Sequence, residues 1–555
     1  MEVSITDAFR KIHPTDTVDD QPTVALVGPT GSTVSFQIHF RFPRQQRTPH
    51  WPKLDIVLDA EAVDLAAYRV DLVPVRCPIW YPDIYGYQTS EPGLLPDKLV
   101  ALDLSAGHPL TVAPTHVGWN TVWVDVQLPD NRCTGRVHVR LAEHDTGDTL
   151  IDRTIDCRAV EVEKAEVPTS ILRWIHTDSV ADHYGIEVFG RDYWQAVEQH
   201  MRAAASIGTT AVLAPIWSPP LDVEIGSYRT HCQLLGVEKT GDGYSFDFSG
   251  VAKWIECSRR AGLTGIEVPH LFSQWGATAA APIFVDVPAL WTAPSTTTPT
   301  FGWHTQSNDP EYLDFLKQLL PQLREFLESQ VDPDRIWWHM SDEPRQENLE
   351  SFTNRTGDLV ALLDGATIID AVSDPEFLQV VQTPVVATSE VERFRAADYE
   401  PEWVYYCVSQ SVGQANQFIA QTAAAHLVQG FQLYKFACAG FLHWGFDFYY
   451  SQYSRSTIDP ATNTDAGGNF LSGDPFLVYP GPTPASPVTG SLRLAMLRQA
   501  FTSLQLCWAA EKKHGREAVI AVIDPAGQLD YAAGFPGPDR YAEIIRALVE
   551  LAATS

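Results

Sequence analysis

The hydrophobic pattern of this chain changes period once, near residue 167, and that change limits the fold more than any single motif does. Before it, segments such as "STVSFQIHFRF", "KLDIVLDA", "YRVDLVPVRC", "NTVWVDVQL" and "GRVHVRLAEH" alternate apolar and polar residues. Successive side chains on a strand point to opposite faces, so period two marks strands with one buried face. Pro, Gly, Asn and Asp turns separate them. Residues 1–167 therefore read as an antiparallel β-sandwich. "GPTGST" (28–33) lacks the lysine of a phosphate loop and precedes a strand, so it reads as a hairpin turn. "PIWYPDIYGYQTSEPGLLPD" (78–97) reads as a long loop.

After the change, short apolar runs alternate with amphipathic stretches. The runs are "ILRWIHTD", "TTAVLAPIW", "GIEVPHLF", "RIWWHMSDEP", "TIIDAVSD", "PVVATSE", "WVYYCVSQ" and "GFLHWGFDF". Helical patterns include "DYWQAVEQHMRAAASIG", "EYLDFLKQLLPQLREFLES" and "ANQFIAQTAAAHLVQG". Parallel strands need crossover connections, and eight of them can close into a ring. Residues 168–510 thus read as a (β/α)8 TIM barrel, and 511–555 as a C-terminal extension packing on the barrel or the sandwich. A hairpin, "QLLGVEKTGDGYSFDFS", interrupts the second unit. The fold class is α/β multidomain: a sandwich, then a barrel.

A chain of 555 residues with 45% apolar and 19% charged residues is globular and exceeds one domain. Its net charge of -30 argues against nucleic acid as a partner, because phosphate would be repelled. The eight cysteines form no CxxC, and most lie in apolar runs, so they read as reduced thiols. The N-terminus lacks the apolar stretch of a signal peptide, and no segment reaches the ~20 apolar residues of a membrane span. The expectation is a cytoplasmic protein without a membrane partner. No HExxH, GxSxG or GxGxxG occurs, so no metal or other cofactor is expected.

In a barrel of this kind catalytic groups come from the C-terminal ends of the strands. Those ends carry His176 and Asp178, Trp217, His270 with Trp275, the Asp342–Glu343 pair, Tyr405 and Tyr406, and His443, Trp444 and Asp447. Adjacent strand residues face opposite ways, so Asp342 and Glu343 can share a site only where the strand ends. Pro344 disfavours the α region for Glu343 and is expected to hold it extended. Two acids in one aromatic-walled pocket titrate apart, one ionised and one able to give a proton, as glycoside cleavage requires. Trp and Tyr supply apolar faces for the C–H face of a sugar and polar edges for its hydroxyls. Trp275, Trp303 and Trp444, after strand ends, are assigned to the pocket, and Trp337, inside a strand, to the core.

Several segments then resemble glycoside hydrolase family 123 and its relatives, from about residue 70 to 505. "YSFDFSGVAKWIECSRRAGLTGIEVPHLF" is similar to the entry of the third barrel unit. "WWHMSDEP", with His339, is similar to the strand-four signature. "EWVYYC" resembles strand seven, "GFLHWGFDFYY" with "SGDPFLVYPGP" strand eight and its loop, and "SLRLAMLRQAF" the helix that follows. The resemblance implies a β-sandwich plus barrel, and an exo-acting β-N-acetylgalactosaminidase that retains configuration by substrate assistance. Asp342 would orient the acetamido group and Glu343 would be acid, then base. Tyr405 would bond the acetamido oxygen and Trp444 would wall the sugar, with Asp474 and Tyr479 in the matching loop. His270, Trp275, Trp303, His339 and Asp447 complete the expected substrate-binding set. Ala495, Ala500 and Ser503 stand where the family often has an acid, glycine and aspartate, which leaves the sugar open. The partner is then a glycan with a terminal N-acetylhexosamine. Two alternatives stand: the same fold acting on another sugar, and a non-catalytic carbohydrate-binding barrel.

Overall fold

The computed structural model describes residues 1–42, 51–81, 85–106, 109–163, 165–241, 243–344 and 346–554. By contacts the chain forms two compact units. One comprises Met1–Val167, Ala415–Lys435 and Thr489–Ser555, and the other Pro168–Gln414 and Phe436–Val488.

The first unit holds two sheets, of six and five strands. Their inner faces form one core in which Phe36, Ile38, Val122 and Val124 of one sheet meet Leu54, Ile56, Val137 and Val139 of the other. The period-two residues of the sequence are these inward side chains. Pairing is antiparallel except for Ala25–Pro29, which runs parallel to Thr149–Val160. For that reason "GPTGST" is a turn but not a hairpin. Ala25–Pro29 lies in the five-stranded sheet and Thr33–Arg41 in the six-stranded one, so the turn carries the chain between sheets. Of the loop at 78–97, residues 82–84 lie outside the described residues, and its last part, from Gly93, is strand Gly93–Leu102.

"ANQFIAQTAAAHLVQG" departs from the expected helix. Only Ala423–Leu427 and Gln429–Lys435 are helical. Upstream, side chains take the carbonyls that a helix ladder would use. Arg493 donates to Gln417 O at 3.0 Å, His426 shares Asn416 O at 3.0 Å, and buried Lys11 reaches Gln421 O at 3.0 Å. Amphipathic spacing cannot register such long-range partners.

The second unit is a ring of eight parallel strands, each matching one apolar run of the sequence. In chain order they are Ser170–Arg173, Ala211–Val212, Ile266–Glu267, Ile336–Trp338, Thr367–Val372, Thr383–Ala387, Trp403–Tyr405 and Gly440–His443. Strand eight pairs with strand one, and strands two and three touch through the single parallel bridge Leu213–Glu267, with Ala214 N donating to Glu267 O at 2.9 Å. The crossovers are uneven. Pro310–Gln330 is a full helix capped by Asp309, whereas only the short 3-10 turn Pro375–Gln379 joins strands five and six. The hairpin Gly236–Thr240 with Gly243–Asp247 sits in the second crossover, as the sequence indicates; Asp242 of its turn lies outside the described residues.

The same alternation runs from the core to the strand ends. Leu172 and Trp174, Ile369 and Ala371, Val385 and Ala387, Trp403 and Tyr405, and Leu442 point into the barrel. Trp337 belongs to this core and is 2% exposed. One further step of two past strands seven and eight brings Cys407 and Trp444 to the same face.

Candidate active site

A cavity of about 190 Å³ opens at the C-terminal ends of these strands. Asp342, Glu343, Tyr405, Trp174, Trp275 and Trp444 line it, with Asp222, Gln274, Cys407 and Phe470 beside them. The acid pair sits at the end of strand four because that strand stops at Trp338. Beyond it, Asp370 of strand five holds the chain: its Oδ1 accepts from Met340 N at 3.0 Å and Ser341 N at 3.2 Å. Ser341 Oγ donates to Ser273 O at 2.9 Å.

Glu343 is not extended. Its φ is +43°, in the left-handed region. Such a residue reverses the local course of the chain, so that two neighbours reach one cavity, at a cost of about 1–3 kcal/mol. Pro344 closes off the right-handed α alternative.

Each acid has a dedicated donor. Gln274 Nε2 donates to Asp342 Oδ2 at 2.6 Å, and Tyr405 OH donates to Glu343 Oε1 at 2.8 Å. The Gln274 amide is fixed from its other end, because its Oε1 accepts from Asp222 N at 2.8 Å. Trp275 N also donates to Asp342 O at 2.9 Å, so the strand-three loop grips Asp342 by side chain and backbone. Asp342 is 5% exposed. Burial, then the neighbouring Glu343 carboxylate, pushes its carboxyl well above the ordinary range, against the Gln274 hydrogen bond. Burial and the Glu343 charge likewise hold the Tyr405 hydroxyl far above its usual value, so it stays a donor. Cys407 Sγ lies 3.8 Å from Glu343 Oε1, and burial keeps it a thiol.

Beneath the cavity lies a buried polar layer. Glu267 Oε1 accepts from Trp174 Nε1 at 2.6 Å and contacts His339 Nε2 at 2.6 Å. His270 stacks on His339 with centroids 4.3 Å apart, and burial drives its pKa well down, so it is neutral. Asp370, 3.9 Å from His339 Nδ1, is pushed by burial up to about 7. Through Trp174 and the Met340–Ser341 amides this layer fixes both the floor of the cavity and the turn carrying the acids.

The structure brings Asp342, Glu343, Tyr405, Trp275 and Trp444 to the cavity. Asp474 lies behind Trp444, whose Nε1 donates to its Oδ2 at 3.2 Å. His270 and His339 are in the layer below. Asp447 is fully buried elsewhere: it accepts from His176 N at 2.7 Å and pairs with His200 Nδ1 at 2.7 Å, which ties loop to helix. Tyr479 packs on Phe476 and is buried, and Trp303 anchors Ser227 O at 2.8 Å beside a separate small recess. Gln274, Trp174, Asp222 and Cys407 escaped the sequence reading. For Gln274 the available signal was its place between His270 and Trp275 in a strand-end loop. No group of three or more metal-ligating side chains occurs among the described residues, and no helix there is long and apolar enough to cross a membrane.

Comparison with known proteins adds the following. The family model described as "Glycoside hydrolase 123, catalytic domain" matches residues 174–507. A family 123 glycoside hydrolase from Clostridium perfringens, described in a study of glycolipid glycan hydrolysis, shares the fold. Its TM-score is 0.68 over 99% of this chain and 98% of its own, at 13% identity. A family 39 glycoside hydrolase from Bacteroides cellulosilyticus aligns at TM-score 0.32 and 10% identity over 87% of this chain and 82% of its own, too low to bear on the fold. No curated protein matches the chain.

Proposed function

Because the chain belongs to glycoside hydrolase family 123, we propose that it removes a terminal β-linked N-acetylgalactosamine with retention, the substrate's own acetamido group acting as nucleophile. The observation that carries this reading is the adjacency of Asp342 and Glu343 on one cavity wall, each with its own donor. A retaining glycosidase with an enzyme nucleophile places its two carboxylates on opposite sides of the bond, ~5 Å apart. Adjacent carboxylates fit a reaction whose nucleophile comes with the sugar.

In the first step the acetamido carbonyl oxygen attacks the anomeric carbon as the glycosidic C–O bond breaks. Glu343 gives its proton to the departing oxygen. Asp342, held by Gln274, accepts the acetamido N–H and stabilises the positive charge of the oxazolinium that forms. The raised Asp342 carboxyl lies beside Glu343, and docking of the N–H on Asp342 favours its ionised form and leaves the proton of the adjacent pair with Glu343. In the second step Glu343 takes a proton from water, the water oxygen bonds to the anomeric carbon, and the oxazoline C–O bond opens. One water is consumed and the acetamido group is restored. Two inversions give retention.

Tyr405 OH rests on Glu343 in the open cavity and can turn its one proton to the acetamido oxygen when the sugar docks, while Trp174, Trp275 and Trp444 present walls for the ring. The volume of about 190 Å³ is below the ~300–1,000 Å³ of pockets for larger ligands, which suits one terminal sugar. A panel of chromogenic β-glycosides tests the reading. Release from the N-acetylgalactosaminide, abolished by Glu343→Gln, is expected. Release only from sugars lacking the acetamido group would refute substrate assistance, and sugar binding without turnover would favour a binding protein.

A further inference from the structure

The cavity walls carry charge of one sign. Among the described residues its lining holds three carboxylates, Asp222, Asp342 and Glu343, and no Lys, Arg or His. The proposed reaction uses two of them and leaves Asp222 without a task. Asp222 is built in with care. Its φ is +43°, a strained value for a residue with a side chain. Three hydrogen bonds from two loops hold it there: Asp222 N to Gln274 Oε1 at 2.8 Å, Tyr453 N to Asp222 Oδ2 at 3.1 Å, and Ser454 Oγ to Asp222 O at 2.7 Å.

The neighbouring cations form their ion pairs with other carboxylates, and Arg229 reaches Asp222 only through space. Arg229 is buried, its Nε 2.7 Å from Asp178 Oδ2, and its guanidinium packs over Phe448 and Tyr450. Arg455 pairs with Glu224 at 2.8 Å and lies over Tyr453. Burial pushes the Asp222 carboxyl up to about 6, while the Tyr453 N–H bond and the Arg229 charge oppose the rise. The chain's net charge of -30 adds a long-range field of the same sign.

We propose that the cavity admits only a terminal sugar without negative charge, and that Asp222 is the specificity-determining residue that turns away one bearing a carboxylate or sulfate. Its carboxylate accepts hydrogen bonds from the hydroxyls of a neutral ring and repels an anionic substituent brought against it. One Gln274 side chain spans Asp222 and Asp342, so the group that reads the ring and the group that holds the acetamido keep a fixed spacing. This deepens the proposed function and rests on it, because it names the class of sugar that the same cavity takes.

The test uses aryl β-glycosides of N-acetylgalactosamine whose C6 is a hydroxymethyl, a carboxamide or a carboxylate. The last two have the same shape and differ in charge. At neutral pH, kcat/KM for the carboxamide should exceed that for the carboxylate at least about a hundredfold, as like charges in a partly desolvated site imply. Asp222→Asn, which keeps an acceptor for Tyr453 N, should narrow that ratio at least about tenfold and raise KM for the hydroxymethyl parent. Cleavage of carboxamide and carboxylate within about threefold by the unaltered enzyme overturns the proposal, as does a ratio that Asp222→Asn leaves unchanged. Should Asp222→Asn not fold, the ratio in the unaltered enzyme decides. Should no acetamido sugar be cleaved, the proposed reaction fails. The charge rule is then read from calorimetric titration with galacturonamide and galacturonate, where equal binding or none overturns it.

Discussion

Gln274→Ala isolates the contact that the account makes most specific. The side chain donates to Asp342 Oδ2 at 2.6 Å and accepts from Asp222 N at 2.8 Å. The first bond is charge-assisted when Asp342 is ionised, and a hydrogen bond to a charged group contributes about 1.5–3 kcal/mol. The positive charge that ionised Asp342 faces is absent from the bound substrate and develops on the way to the oxazolinium. Loss of its donor should therefore appear in kcat, as a fall of about ten- to a hundredfold at 1.36 kcal/mol per decade. The second bond concerns stability: an Asp222 N–H left without its partner costs about 1–3 kcal/mol, measurable as a lower melting temperature. Gln274→Glu separates the two effects. It keeps an acceptor for Asp222 N but sets a second carboxylate against Asp342, which raises that group's pKa further. The limb of the pH–rate profile that requires ionised Asp342 should then move to higher pH, with stability less affected. Steady-state kinetics across pH on an aryl N-acetylgalactosaminide measures both. Gln274→Ala within about twofold of the parent in kcat, or an unmoved limb in Gln274→Glu, refutes the clamp.

The remaining predictions concern the two acids and the layer beneath them. Burial and the Glu343 charge raise the pKa of Asp342 in the fold, so the fold keeps a proton there that the unfolded chain releases near pH ~3.9. Stability from this group is present below that pH and is lost as pH rises through the folded value. Asp342→Asn should accordingly melt higher than the parent at alkaline pH and equally at acid pH, while its first chemical step is strongly slowed; a melting gap that does not grow with pH counts against this. Tyr405→Phe removes the donor 2.8 Å from Glu343 Oε1 and should lower kcat/KM about ten- to a hundredfold in the same assay with little change in melting. Asp370→Ala leaves the Met340 and Ser341 amides without their acceptor and should cost about 2–4 kcal/mol in denaturant titration, whereas Asp370→Asn, which retains an acceptor, should keep most of that stability and most of kcat.

The second unit was legible because each barrel strand is an apolar run that turns polar where it surfaces, and the periodicity reports both events. Asp342 and Glu343 were legible for the same reason, with Pro344 marking the break. Trp275 and Trp444 followed from their places after strand ends, and Tyr405 from its place at one. Gln274 had only its place between His270 and Trp275 to mark it, and an interior indole such as Trp174 has no mark at all; their use depends on where Asp342, Asp222 and Glu267 arrive in space. Polarity at a strand end was ambiguous for Asp447 and His339, since the carboxylate that ties His176 to His200 and the imidazole beside Glu267 look the same in sequence as groups that face a ligand. The helix expected from residue 415 gave way to buried Lys11 and Arg493, whose arrival no local pattern announces.

The central claim is that the acetamido oxygen is the nucleophile. The most direct measurement is kcat on a series of aryl N-acylgalactosaminides in which the acetyl group carries zero to three fluorines. Each fluorine withdraws electrons from that oxygen without altering the ring or the leaving group. Substrate assistance predicts a steep fall in kcat with each fluorine, and a rate that does not depend on fluorination would contradict it.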